Sequence, residues 1–185
     1  MKYLIGLSYL FFLSEFILMI LKRSKKSTSK QSSDRGSLVL LWVFITLCFT
    51  FGFILANYKV WNNFNFILEG IGLLFIVIGL IIRWTSIFQL NKAFTVDVAI
   101  GHEQKLKTDG VYKSVRHPSY LGLLLIMIGF SIGMNSYLSM LVIIIPMFLV
   151  IQYRIFVEEK VLVDAFGEEF ISYRQKTKKL IPWIY

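Results

Sequence analysis

The sequence predicts an all-α, polytopic membrane protein with about five transmembrane helices and a cytoplasmic C-terminal helix, and three observations carry that expectation. The 185-residue chain is 56% hydrophobic with a mean hydropathy of +0.67, too apolar for a soluble domain of this size to cover its own surface. Its charges are clustered: residues 36–58 and 118–153 form runs of 23 and 36 residues without Asp, Glu, Lys or Arg. About 20 apolar residues already cross the hydrocarbon core as a helix. The basic residues lie between these runs, where the bias of Lys and Arg toward cytoplasmic loops places them.

Span one is expected over about Tyr3–Leu21, with Glu15 inside it. Its charge cluster follows the apolar stretch and no small-residue cleavage site precedes Lys22, so a retained span is expected and not a signal peptide. Lys22–Ser37, KRSKKSTSKQSSDRGS, reads as a flexible basic cytoplasmic linker near anionic lipid headgroups. Span two covers about Leu38–Asn57. The turn YKVWNNFN follows, with Tyr58 and Trp61 suited to a membrane interface. Span three covers about Phe66–Phe88, and the polar stretch Gln89–His117 after it is too charged to cross lipid.

As one helix, the uncharged 36-residue run would be about 54 Å long, well beyond a bilayer's need. It must fold back, and Met134-Asn135-Ser136 is the turn. Span four is then about Ser119–Gly133 and span five about Tyr137–Phe156, with Pro146 expected to kink it. The tail from Val157 to Thr177 has helical character. With the first linker inside, the outer face receives only Lys2 and Lys59 of the 20 Lys and Arg. That asymmetry predicts an N-terminus outside and a C-terminus in the cytoplasm. Gly129 and Gly133, with Gly122 one heptad before Gly129, are expected to pack the hairpin of spans four and five closely.

A net charge of +9 belongs to these inner segments; no recognition module frames it, so no nucleic-acid partner is expected. The single cysteine, Cys48, cannot form an intrachain disulfide, and one Cys with two His makes a structural zinc site an unexpected reading, so no metal is assigned.

Two polar clusters flank the hairpin. One is Asp109–Gly122, DGVYKSVRHPSYLG; the other is Arg154–Lys160, RIFVEEK, followed by Phe166-Gly167-Glu168-Glu169. A hairpin brings its ends together, so the clusters are expected to be neighbours at the inner surface. Arg154 and Glu158, four apart, share a helix face. Ionisable groups at a membrane boundary point to function. The residues alone also allow an ordinary helix ion pair, an interfacial Arg116 and a His117 that is merely polar in a turn set by Pro118.

GVYKSVRHPSYLG, with a Glu pair some forty residues later and FGEEFISYRQKTKKLIP beyond it, resembles the signature of the isoprenylcysteine carboxyl methyltransferase family and its phospholipid methyltransferase relatives. The resemblance covers about Thr95–Pro182. It implies a site for S-adenosyl-L-methionine at the cytoplasmic face, lined by His117, Pro118, Ser119 and Tyr120, with Tyr112 as a further contact. Gln104, Lys105, Leu106 and Lys107 lie where the family, often with H-x-L-V, contacts the cofactor. Lys105 and Lys107 depart from that pattern, which favours backbone contacts there. Glu158 matches the cofactor-binding Glu, with Glu159 beside it, and Arg154 matches the arginine facing the substrate carboxylate.

The implied function is methyl transfer to a carboxylate or other acidic oxygen of a lipophilic or lipidated substrate, with membrane lipids as neighbours. Such an acceptor, with a pKa of about 4, is ionised at neutral pH and needs no general base. Arg154 would orient it by a charge-assisted bond. The organisation that follows is residues 1–88 as N-terminal spans with the linker 22–37, and residues 89–185 as a cofactor-binding region with the hairpin 119–156. The short form resembles microbial members of the family, and so a microbial cytoplasmic membrane. The ending IPWIY also resembles sterol reductases, which use NADPH, and a non-enzymatic membrane scaffold is the third reading. The acceptor's identity and the oligomeric state are open.

Overall fold

The computed structural model describes residues 2–21, 35–58, 65–91, 105–182 and 184–185. Most of the basic linker, Trp61 with the turn around it, and Gln104 lie outside those residues. Helix α1 is Lys2–Leu21, α2 Arg35–Asn57, α3 Phe66–Leu90, α4 Pro118–Gly133, α5 Tyr137–Phe166 and α6 Glu168–Lys176. A short 3-10 helix, Gly110–Lys113, precedes α4. The only β pairing among the described residues is an isolated parallel bridge between Val115 and Lys178. The fold is therefore all-α, as the charge-free runs predicted.

Four helices, α1, α2, α3 and α5, are long and apolar enough to cross a membrane; α4, with 16 residues, is shorter. At 1.5 Å per residue α4 spans about 24 Å, less than the hydrocarbon thickness. Its position explains why this suffices. Leu123, Ile126, Met127 and Phe130 are fully buried, and the turn Met134–Ser136 beyond its end is buried as well. The helix is enclosed by protein, where irregular backbone is tolerated at membrane depth. Leucines and isoleucines of α3 and α5, such as Leu73, Leu74, Ile81, Leu141 and Leu149, are exposed on the outside of the bundle, as lipid contact requires.

The local chemistry fixes the ends. Asn65 caps α3, its side chain accepting from the Ile67 amide at 2.8 Å, with Glu69 in the first turn. Pro118 opens α4, where a missing N–H breaks no helical bond. Asn135 supplies the left-handed residue of the hairpin turn, at φ 56°, and the Ser136 side chain accepts from the Ser139 amide at 3.3 Å to start α5. Pro146 lies inside an unbroken α5. It cannot donate to the Val142 carbonyl, and the Cys48 thiol of α2 lies 3.5 Å from that oxygen as its donor. At Gly167, φ 52°, the chain turns from α5 into α6.

Span five was expected to stop near Phe156, whereas α5 continues to Phe166. Nothing in V-E-E-K-V-L-V-D-A breaks a helix, so the tail's helical character joins that of the span. Thirty residues make about 45 Å, so the last third of α5 projects past a hydrocarbon core about 30 Å thick.

The glycines correct a second expectation. They pack α4 against α3, not against α5. A Cβ at Gly129 would lie 2.6 Å from the Gly72 carbonyl oxygen, and one at Gly122 would lie 2.7 Å from that of Gly79. Gly133 faces Leu4 of α1. Two glycines seven apart on α3 thus meet two seven apart on α4. Phe11, Phe49 and Phe130 join α1, α2 and α4 in an aromatic cluster, with Phe49 and Phe130 edge to face at 4.8 Å.

Candidate active site

One end of the bundle gathers the end of α3, the starts of α2 and α4, the projecting part of α5, and α6. The two polar clusters meet there, as the hairpin argument required. The Tyr120 hydroxyl donates to Glu158 Oε2 at 2.8 Å and accepts from Arg154 Nε at 3.1 Å. Arg154 also donates through Nη1 to the Ser37 hydroxyl at the start of α2. Its guanidinium is deep in the protein, with the residue only 2% exposed. Glu158, one turn further along α5, has a side chain 29% exposed. A single hydroxyl therefore bridges a buried cation and a carboxylate nearer the surface.

Glu159 serves a second centre. Its Oε1 accepts from Arg116 Nε at 2.9 Å and lies 3.1 Å from His117 Nε2. Arg116 also donates to the carbonyls of Arg174 and Thr177, tying the C-terminal segment to the site. The backbone adds to this: the Arg116 and His117 amides donate to the Lys178 and Lys179 carbonyls at 2.8 and 3.2 Å. His117 Nδ1 is 3.8 Å from Glu158 Oε1, so the imidazole stands between the paired glutamates. Glu159 is 9% exposed, with two donors on one oxygen, and Glu158 is the more accessible carboxylate.

The segment before α4 is held by α3. Tyr112 donates its hydroxyl to the Ser86 carbonyl at 3.2 Å, and the Val111 amide donates to Gln89 Oε1 at 2.9 Å. Tyr173 of α6 donates to the Tyr112 carbonyl at 2.6 Å. Burial, reinforced by Glu158, keeps the Tyr112 phenol well above its usual pKa, and burial pushes Tyr173 up to about 12. Both remain neutral donors at physiological pH.

Of the residues expected at the site, Tyr112, His117, Pro118, Ser119, Tyr120, Arg154, Glu158 and Glu159 come together. Pro118 is the first residue of α4, and Ser119 contributes its carbonyl, which accepts from Arg83 Nη1 at 3.2 Å. Lys105 is exposed and Leu106 half-buried. Lys107 pairs with Asp109 at 2.8 Å on the surface. Among the described residues no hydrogen bond ties those three to the Tyr120 cluster.

Sequence reasoning did not single out Ser37, Arg83, Ser86 or Gln89. For Arg83 a signal existed. It is the lone charge in the inner half of its span, and Glu15 is the lone charge of span one; charges at membrane depth pair with one another.

The fold and this cluster define a polytopic α-helical membrane protein with a charged site where its central hairpin meets the membrane surface. The chain belongs to the phospholipid methyltransferase family, whose model matches residues 67–169, from the start of α3 into α6. It is 31% identical over 119 residues to protein-S-isoprenylcysteine O-methyltransferase B of Arabidopsis thaliana, covering 63% of this chain and 60% of that one. It is 30% identical over 114 residues to methanethiol S-methyltransferase 1 of Bradyrhizobium diazoefficiens, covering 57% of this chain and 39% of that one. Among solved structures it resembles the eukaryotic intramembrane Ras methyltransferase, isoprenylcysteine carboxyl methyltransferase. That match has a TM-score of 0.60 and 28% identity, covering 86% of this chain and 55% of that one. The chain thus spans 60% or less of the length of these proteins.

Proposed function

We propose that the protein is a membrane methyltransferase that uses S-adenosylmethionine to methylate a carboxylate, or another acidic oxygen, of a lipophilic molecule held in the bilayer. The observation that carries this reading is the Tyr120 bridge between Arg154 and Glu158, set within the residues that match the family.

The donor set suits the cofactor's chemistry. S-adenosylmethionine carries a sulfonium, an α-ammonium, a carboxylate and ribose hydroxyls, and when bound it supplies an electrophilic methyl group. Glu158, partly open, is the carboxylate for the ammonium or the ribose. The buried aromatic ring of Tyr112 and the half-buried ring of Tyr120 offer π faces to a cation. Glu159 holds Arg116 and His117 in place beside them.

Arg154 is the group for the acceptor. A buried guanidinium binds an anion strongly through charge-assisted hydrogen bonds, and this favours an acidic oxygen over a neutral thiol. The acceptor is already ionised, so no side chain has to take its proton. The residues act by orienting the reactants and excluding water, which supply most of the acceleration in a displacement of this kind. The same end of the bundle is the cytoplasmic one in this reading, because it lies beside the basic segments.

The test uses purified protein in lipid nanodiscs with methyl-labelled S-adenosylmethionine. Acceptors are a prenylcysteine with a free carboxylate, its carboxamide, and a host lipid extract. Label is expected on the free carboxylate or on an acidic lipid, and none on the carboxamide. Glu158→Ala is expected to fold and to bind the cofactor about tenfold or more weakly, the worth of one hydrogen bond to a charged group. Undiminished cofactor binding in that variant, or binding of NADPH in place of S-adenosylmethionine by the wild type, would overturn the reading.

A further inference from the structure

A second buried ion pair lies beside the site but outside the cluster just described. Glu15 of α1 and Arg83 of α3 are 5% and 8% exposed. Arg83 donates Nε and Nη2 to the two carboxylate oxygens of Glu15, the latter at 2.6 Å, in the paired geometry that a guanidinium favours. Its remaining arm, Nη1, reaches the Ser119 carbonyl at 3.2 Å. Gly122 makes this approach possible. A Cβ there would lie 2.7 Å from the Arg83 amide nitrogen and 2.8 Å from the Arg83 Cβ.

Arg83 also begins a stripe on α3. Three residues on, the Ser86 carbonyl accepts from Tyr112, and three further on, Gln89 accepts from the Val111 amide. Each holds a different part of the segment 111–119. A buried ion pair does little for net stability, since apolar residues of similar volume serve as well or better. What apolar residues cannot supply is the donor to Ser119. That residue immediately precedes Tyr120, whose hydroxyl must sit between Arg154 and Glu158.

We infer that Glu15 and Arg83 are positioning residues for methyl transfer: Glu15 fixes Arg83, and Arg83 fixes the Ser119 carbonyl and so the Tyr120 hydroxyl. This rests on the proposed methyltransferase function. It also gives α1, which lies outside the residues matched by the family, a direct part in building the site.

The test compares Glu15→Leu/Arg83→Met and Arg83→Lys with the wild type in nanodiscs. The double variant is expected to melt near the wild type yet to turn over about tenfold or more slowly, because small misplacements of reacting groups are costly. Its kcat is expected to fall by a larger factor than the KM for S-adenosylmethionine rises. Arg83→Lys keeps the charge opposite Glu15, but one ammonium cannot occupy three separated donor positions, so an intermediate kcat is expected. Wild-type kcat in a folded double variant makes the pair purely structural and overturns the inference. Should the double variant not fold, wild-type kcat in Arg83→Lys overturns it equally. A wild type without methyl transfer refutes the proposed function instead. The inference is then read from amide exchange across residues 109–122, which is expected to accelerate in Arg83→Lys; unchanged exchange overturns it.

Discussion

A close approach of α3 to α4 offers a sharp test of how the bundle is built. At Gly79 an added Cβ would meet the Gly122 carbonyl oxygen at 2.7 Å, and Ile126 Cγ1 and the Ile126 amide nitrogen at 2.8 Å each. Two of these three are backbone atoms and cannot rotate away. Restoring an ordinary contact of about 3.5 Å or more means moving α4 from α3 by about 0.7–0.8 Å. Overpacking of this kind costs about 1–3 kcal/mol. Gly70, on the same helix, has nothing within 4 Å of its ideal Cβ, so Gly70→Ala carries the same gain in helix preference, about 1 kcal/mol, without the clash. The difference between Gly79→Ala and Gly70→Ala therefore isolates the packing.

At about 2–4 °C per kcal/mol for a chain of this length, Gly79→Ala is expected to melt about 2–12 °C below Gly70→Ala. Both are compared in one detergent at one scan rate, because unfolding of such proteins is often irreversible. The same shift would stretch the 3.2 Å bond from Arg83 to Ser119 past hydrogen-bonding range, to about 3.9 Å. Turnover should fall in Gly79→Ala and not in Gly70→Ala. Equal melting of the two variants would refute the glycine contact between α3 and α4.

Two further changes test the site. Tyr120→Phe removes the hydroxyl between Arg154 and Glu158; a folded protein with turnover reduced about tenfold to a hundredfold is expected, since hydrogen bonds to charged groups are worth about 1.5–3 kcal/mol each, and unchanged turnover would remove the bridge from the mechanism. Tyr173, whose pKa is raised to about 12 from 10.0, favours the folded state while neutral. Its contribution is full below about pH 10 and is lost as pH rises toward 12. The fall in melting temperature over that interval is expected to be shallower in Tyr173→Phe, and an identical fall would show that burial of this phenol is not part of it.

The spans were legible because a bilayer demands long uncharged runs, and the break at Met134–Ser136 follows from the excess length of residues 118–153. The meeting of Tyr120 and His117 with Glu158 and Glu159 was legible too, since a hairpin must bring its ends together. The partners of α4 were not. Gly129 and Gly133 report a close approach but do not name the neighbour. Only the matching interval between Gly72 and Gly79 on α3 points there. Ser37 could not be found from the sequence, because a serine at the start of an apolar helix looks like any capping or interfacial residue. Its place against Arg154 depends on how α2 lies along α5.

The length of α5 finally ties the chemistry to the membrane. Arg154 and Glu158 are four residues apart on one face, a rise of about 6 Å. In that distance the side chain passes from full burial at Arg154 to partial exposure at Glu158. With Tyr137 at the far surface, about 20 residues bring α5 to the end of the hydrocarbon core, close to Phe156. Arg154 then lies just inside that boundary and Glu158 just outside it. In the proposed reaction a lipophilic anion would approach Arg154 from the apolar side of that boundary, and a polar cofactor would approach Glu158 from water. Tyr120 touches both groups, so a shift of its hydroxyl uncouples two binding events that each remain possible. That is why loss of its positioning should appear in kcat before it appears in the affinity for either reactant.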